Sequence, residues 1–152
     1  MNANTKMKSV LSLTLASVLA LSLFLYSCKK DDPSPSVTVT EATTKLLTST
    51  SWKVQSVTVD GVDQTSLFSG LVLSFTTSSF TTTSGNPVWP ASGTWSFISE
   101  EAKKIQRNDG LEVTLNEISE NKLVLSLVWS KTIFGPGRNS SMKGTHTFNF
   151  VK

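Results

Sequence analysis

Hydrophobic positions fall into two regimes along the chain. From Val10 to Tyr26 they run almost unbroken, 17 residues diluted only by serine and threonine. From about Lys45 onward they alternate with polar residues in short bursts separated by turn formers, the pattern of half-buried strands. Trp52–Val59 is the first burst and ends at Asp60-Gly61, a tight-turn pair. Gln64–Phe68 reads as one helical turn closed by Gly70. Leu71, Leu73 and Phe75 share a face, and Ser79–Thr83 pairs back with Phe80 inward before Ser84-Gly85-Asn86-Pro87 breaks it. Gly93–Ile98 places Trp95 and Phe97 on one face, and Lys104–Arg107 stops at Asn108-Asp109-Gly110. Leu111, Val113 and Leu115 share the next face, and Leu123, Leu125, Leu127 and Trp129 the one after. Lys131–Ser141 is a polar loop, and Gly144–Val151 closes the chain with His146, Phe148 and Phe150 on one face.

About eight short strands joined by hairpins, with almost no helix, fit an antiparallel sandwich or a closed barrel. A barrel leaves no edge exposed, which suits a small β-domain outside the cell. The expected inward set is Trp52, Val54, Leu71, Leu73, Phe75, Phe80, Trp95, Phe97, Ile105, Val113, Leu115, Leu123, Leu125, Leu127, Phe148 and Phe150. Strands this short, facing bulky side chains, favour a filled interior over an apolar pocket.

The leader changes the picture most. Lys6 and Lys8 precede the apolar run, which ends at Ser27-Cys28. A positive start, a short apolar stretch and a small residue before the cut site make a secretory signal peptide. The run is at the short edge of what spans a bilayer permanently, and the polar Lys29-Lys30-Asp31-Asp32-Pro33 follows it directly. Cys28, the one cysteine of the chain, stands where a lipoprotein is acylated, so residues 1–27 are read as a lipoprotein signal and Cys28 as the lipidation site. Palmitate-type acylation there implies attachment to the outer membrane. Cys28-Lys29-Lys30-Asp31-Asp32 resembles the export signal of cell-surface lipoproteins in the Bacteroidota, which implies display on the outside of the cell. Residues 28–44, with Pro33-Ser34-Pro35-Ser36, are expected to form a flexible tether, and 45–152 the folded domain.

Removing 1–27 leaves 125 of 152 residues and takes Lys6 and Lys8 from the 14 basic residues, so 12 remain against 11 acidic ones and the net charge falls to +1. No basic stripe survives for nucleic acid. With Cys28 acylated, no disulfide forms within the chain, and stability rests on the core.

Several landmarks then resemble the small lipocalin-like domains of bacterial lipoproteins. They are Thr50-Ser51-Trp52-Lys53-Val54 after Leu46-Leu47, Val59-Asp60-Gly61-Val62-Asp63 leading to Phe68-Ser69-Gly70, Trp89-Pro90-Ala91-Ser92-Gly93-Thr94-Trp95-Ser96-Phe97, and Gly144-Thr145-His146-Thr147-Phe148-Asn149-Phe150. The resemblance implies a small lipocalin-like barrel over 45–152 and a binding function of unspecified ligand. Lipocalins open with a glycine two residues before the tryptophan, and Thr50 stands there instead. They also pack an arginine on that tryptophan, for which Arg107 and Arg138 are the candidates.

Little else carries chemistry. His146 is the single histidine and lacks a nucleophile, so it reads as structural. Asp60, Asp63 and Asp109 form no spaced metal loop. The chain is therefore read as a non-enzyme without cofactor or metal. Trp89, Trp129, Phe134 and Arg138 lie in or beside the loops 86–92 and 129–141, where exposed aromatics stack on sugars or anchor a protein. The simpler reading, and the one favoured, is that Trp89 and Trp129 plug the barrel mouth. Two functions stay open: a binding module for a small apolar molecule or a glycan, and a structural or interaction subunit of a surface complex.

Overall fold

The computed structural model describes residues 37–131 and 143–152. The leader and the residues around Cys28 lie outside them, as do Phe134 and Arg138. Among the described residues nine strands follow one α-helix: α1 (Val39–Leu47), β1 (Ser51–Val59), β2 (Val62–Asp63), a 3-10 helix (Thr65–Phe68), β3 (Val72–Phe75), β4 (Ser79–Thr83), β5 (Ser92–Phe97), β6 (Lys104–Arg107), β7 (Glu112–Ile118), β8 (Lys122–Trp129) and β9 (Gly144–Val151). Every pairing is antiparallel. β1 pairs with β3, each following strand pairs with the next, and β9 pairs back onto β1 from Lys53–Val151 to Val59–His146. The result is a closed eight-stranded barrel, with β2 added beside the end of β1. Closure leaves no long sheet edge to template association.

Fourteen of the sixteen expected inward residues are buried, and Val54 and Phe97 pack partly exposed against them. Trp52, Phe68, Phe80, Trp89, Phe148 and Phe150 are fully buried and fill the interior. Their rings meet edge to face, as at Phe68–Phe148 (5.1 Å, 83°) and Trp95–Phe97 (5.1 Å, 87°), the arrangement that ring quadrupoles favour. Each large apolar side chain buried this way stabilises by about 1.5–3 kcal/mol.

Two bulges set the parity of the long strands. β1 slips register against β9 between Val54 and Ser56, and β7 slips against β8 between Leu115 and Glu117. An extra residue on one strand flips all later side chains. Hence Trp52 and Val54 face inward on even positions, whereas Val57, beyond the bulge, is fully buried on an odd one.

Part of the expected tether, 28–44, is helical instead, and 45 is not where the folded part begins. α1 begins at Val39, inside it, and the compact unit starts at Val37. The cause is a capping box: the Glu41 amide donates to Thr38 Oγ1 (3.2 Å), and the Thr38 amide donates to Glu41 Oε2 (2.9 Å). Thr43 and Leu47 are buried, and Trp52 Nε1 donates to the Leu47 carbonyl (3.0 Å). α1 thus covers the end of the barrel where β1 starts.

The antiparallel order sorts the connections between two ends. The α1 end carries the β3–β4, β5–β6 and β7–β8 turns. The opposite end carries the β1–β2 turn, the 3-10 helix and the β4–β5, β6–β7 and β8–β9 connections. This second end is called the loop end below.

Candidate functional site

Buried polar chemistry in the described residues concentrates at the loop end. Arg107 is the last residue of β6, and alternation puts it inward beside Ile105. Its side chain is wholly buried. Nη1 donates to the Val88 carbonyl (2.8 Å) and Nη2 to Asp109 Oδ2 (2.6 Å), a carboxylate still 29% exposed. The guanidinium carbon lies 4.8 Å from the Trp89 ring centroid and 5.5 Å from that of Phe80. Desolvation pushes the Arg107 pKa down, and the charge and hydrogen bond of Asp109 oppose that shift. Arg107 is thus a clamp: it holds the β4–β5 connection over the barrel and carries a charge into it.

That connection folds back so tightly that Trp89 enters the core. Its amide donates to the Gly85 carbonyl (2.8 Å), and its ring stands edge to face with Phe80 (5.6 Å) and Phe148 (6.1 Å). A Cβ on Gly85 would lie 2.6 Å from Trp89 Cβ, so only glycine allows the approach.

His146 sits at the start of β9, fully buried, stacked on Phe148 (5.8 Å, 14°) and edge to face with Phe68 (5.9 Å, 88°). Nδ1 lies 3.2 Å from the Gly144 carbonyl. A carbonyl only accepts, so Nδ1 carries the proton and Nε2 presents a lone pair. Burial pushes the pKa of His146 down, opposed by that hydrogen bond and by the charge of Asp60. Asp60 also pins the seam between β1 and β9: its amide donates to the Thr145 carbonyl (2.9 Å) and its Oδ1 accepts from the Thr145 amide (2.9 Å).

Four buried side-chain nitrogens find no hydrogen-bond partner among the described residues: Trp89 Nε1, Arg107 Nε, Trp129 Nε1 and His146 Nε2. All four belong to the loop end. A buried polar group left unpaired costs about 1–3 kcal/mol, so four reach about 4–12 kcal/mol, the scale of a small domain's whole stability. By contrast the other two tryptophans are satisfied, Trp52 by Leu47 and Trp95 by the Thr76 and Ser79 carbonyls at 3.1 Å.

The expected rim site fares unevenly. The loops 86–92 and 129–141 do anchor at one end, because β4–β5 and β8–β9 both turn there. Trp89, however, is fully buried and Trp129 only 4% exposed. Neither presents a ring face for a sugar, and both plug the mouth. Phe134 and Arg138 lie outside the described residues. Arg107 packs on Trp89 and not on Trp52, so the arginine–tryptophan pair is built from other strands than the resemblance implies.

Concavities lie on the outside of the barrel. One of about 310 Å³ is lined by Lys104, Glu112, Thr114, Ser126, Val128 and Thr145, and one of about 430 Å³ by Thr94, Ser96, Gln106 and Asn108. A third, also about 430 Å³, runs along α1 beside Thr40, Thr44, Thr48 and Thr77. Among the described residues no three acidic, histidine or cysteine side chains come together as metal ligands.

Sequence reasoning missed Arg107 and His146 as a pair. The signal was present: alternation puts Arg107 inward beside Ile105, with Asp109 two residues on to partner it. A scan against protein-family models finds no match for the chain, and searches of curated proteins and of solved structures find no significant match either.

Proposed function

We propose that this chain is an outer-membrane lipoprotein, anchored by acylated Cys28 and displayed on the cell surface, whose non-catalytic lipocalin-like domain recognises its partner at the loop end. The anchor rests on the leader: Lys6 and Lys8, the apolar run and Ser27-Cys28. The observation that carries the recognition site is the filled interior. With Trp52, Phe68, Phe80, Phe148 and Phe150 all fully buried, an apolar ligand has no calyx to enter. α1 covers the end of the barrel where β1 starts, opposite the loop end.

Two measurements test this. A fatty-acid probe should label the wild-type protein and not Cys28→Ala, and protease added to intact cells should remove the domain. Labelling of Cys28→Ala defeats the anchor. A panel of apolar ligands should leave the Trp52 and Trp95 indole N–H signals unshifted, and a saturable shift of both places the ligand inside the barrel and defeats the loop-end reading. The filled core equally favours the second function, a structural or interaction subunit of a surface complex, because it makes the barrel a rigid scaffold. Co-purification of one stoichiometric protein partner after cross-linking on intact cells supports that reading.

A further inference from the structure

Residues 61–70 cross a gap in the barrel wall as a strap. β3 pairs with β1 only over Ser51–Lys53, and β2 pairs with it only at Thr58 and Val59. Between those pairings the strap takes over. The Gln64 amide donates to the Val57 carbonyl (2.8 Å), and the Val57 amide donates to Thr65 Oγ1 (3.0 Å). Asp63 Oδ1 fixes Thr65 in turn, accepting from its amide (2.9 Å) and its hydroxyl (2.6 Å). A glycine with positive φ stands at each end, Gly61 (+81°) and Gly70 (+78°), and neither is crowded by other residues. Such positions absorb the dihedral changes of a hinge. Within the strap only Phe68 is buried, whereas Val62 is 61% and Leu67 44% exposed.

What Phe68 seals is His146. Their rings meet edge to face at 5.9 Å, and Phe68 meets Phe148 at 5.1 Å. His146 Nδ1 is committed to the Gly144 carbonyl, and Nε2 is buried without a partner among the described residues. A proton taken up at Nε2 puts a donor and a full charge among phenyl rings, and both require water. β9 resists turning the ring out, because His146 sits in a ladder with Val59 on one side and Leu127 on the other. The strap hangs on one side chain and is the wall that opens at least cost. The charges around this latch do not replace water. Asp60, at the β1–β2 turn, acts on His146 through space, and its Oδ1 is held by the Thr145 amide. Lys143 and Asp63 are exposed, Lys131 lies over the Trp129 ring, and Arg107 is paired with Asp109 behind Trp89.

We propose that residues 61–70 are an acid-released strap, hinged at Gly61 and Gly70 and latched by Phe68 on neutral His146, which leaves the barrel wall when His146 is protonated. The rest of the barrel stays closed. Release uncovers Phe148 and His146 and gives the loop end a second, more apolar surface. The inference stands independently of the anchor and of the partner recognised.

Amide hydrogen exchange of the full mature protein in detergent, followed residue by residue by nuclear magnetic resonance and corrected for intrinsic rates, tests it. An exposed imidazole titrates near 6.5, so the opening constant should rise about tenfold from pH 7.5 to 5.5. Protection at Val57, Gln64, Leu67 and Leu71 should fall by that factor, while the amides of β8 keep theirs. His146→Phe keeps a ring in the cage and should abolish the pH dependence. Phe68→Leu weakens the latch and should lower protection of the strap already at pH 7.5. Strap protection that is constant between the two pH values overturns the proposal. So does a loss shared equally by β8, which makes the event global unfolding, or a pH dependence that survives in His146→Phe. Unaltered strap protection in Phe68→Leu removes Phe68 as the latch and overturns it as well.

Discussion

An imidazole sealed between phenyl rings ties the fold to acidity in a defined window. Burial holds the folded-state pKa of His146 below its ordinary 6.5. The unfolded chain takes up a proton near that value, and the folded chain does so only at lower pH. The stability that His146 contributes is therefore whole above about pH 6.5 and is lost as pH falls below it. Thermal midpoints should drop between about pH 7 and 5, and His146→Phe should flatten that drop. An unchanged slope in the variant assigns the effect elsewhere. Glu41 and Asp63 act lower on the scale, since hydrogen bonds from Thr38 and Thr65 hold their carboxylates below the ordinary range. Arg107 yields a second expectation. Asp109→Ala strips a buried guanidinium of its anion and should cost about 2–3 kcal/mol in denaturant unfolding, near the lower end for buried pairs because Asp109 is partly exposed. A change below about 0.5 kcal/mol, typical of surface sites, removes the clamp from the account.

The strands were legible in the sequence almost residue for residue, because period-two alternation survives wherever one face is buried and the other wet. What alternation cannot carry is a change of phase. Val57 escaped the expected core since the β1 bulge flips parity after Val54, and no turn residue marks the spot. α1 escaped for a different reason. Val37-Thr38-Val39-Thr40 looks extended by composition, yet Thr38 and Glu41 satisfy each other's backbone amides and overrule β-propensity locally. Thr38→Ala should cost about 1 kcal/mol and speed hydrogen exchange at the amides of α1, and unaltered exchange dismisses the cap. Trp89 stayed between two readings, rim ligand and plug, because a loop position between two prolines, Pro87 and Pro90, gives no period to read. Its burial depends on Arg107, Gly85 and Phe80, which only the fold assembles. Gly93 shows the same tightness, as a Cβ there would sit 2.6 Å from both Phe80 Cζ and Asn108 Oδ1. Gly93→Ala should overpack the junction of β4, β5 and the β6–β7 turn and destabilise by about 1–3 kcal/mol, read as a lower denaturant midpoint.

For the molecule as a whole, the core is continuous from α1 to the loop end, so damage at one tryptophan is felt everywhere. Trp95→Ala removes a ring held by Phe75, Phe97 and two carbonyls and should lower stability by about 3–5 kcal/mol, and a wild-type melting curve contradicts this packing. The closing seam has a further consequence. β1 finds one of its main partners in β9, so Val59 waits for His146 and Lys53 for Val151, about a hundred residues further along the chain. Until β9 docks, the sheet is therefore open and curling, and its two outer strands, β1 and β8, stay unsatisfied along one edge each. Pairings between such distant residues form slowly, on the order of milliseconds to seconds, and until then both edges invite other chains. Folding is thus a race between ring closure and stray association, and the docking of β9 decides it.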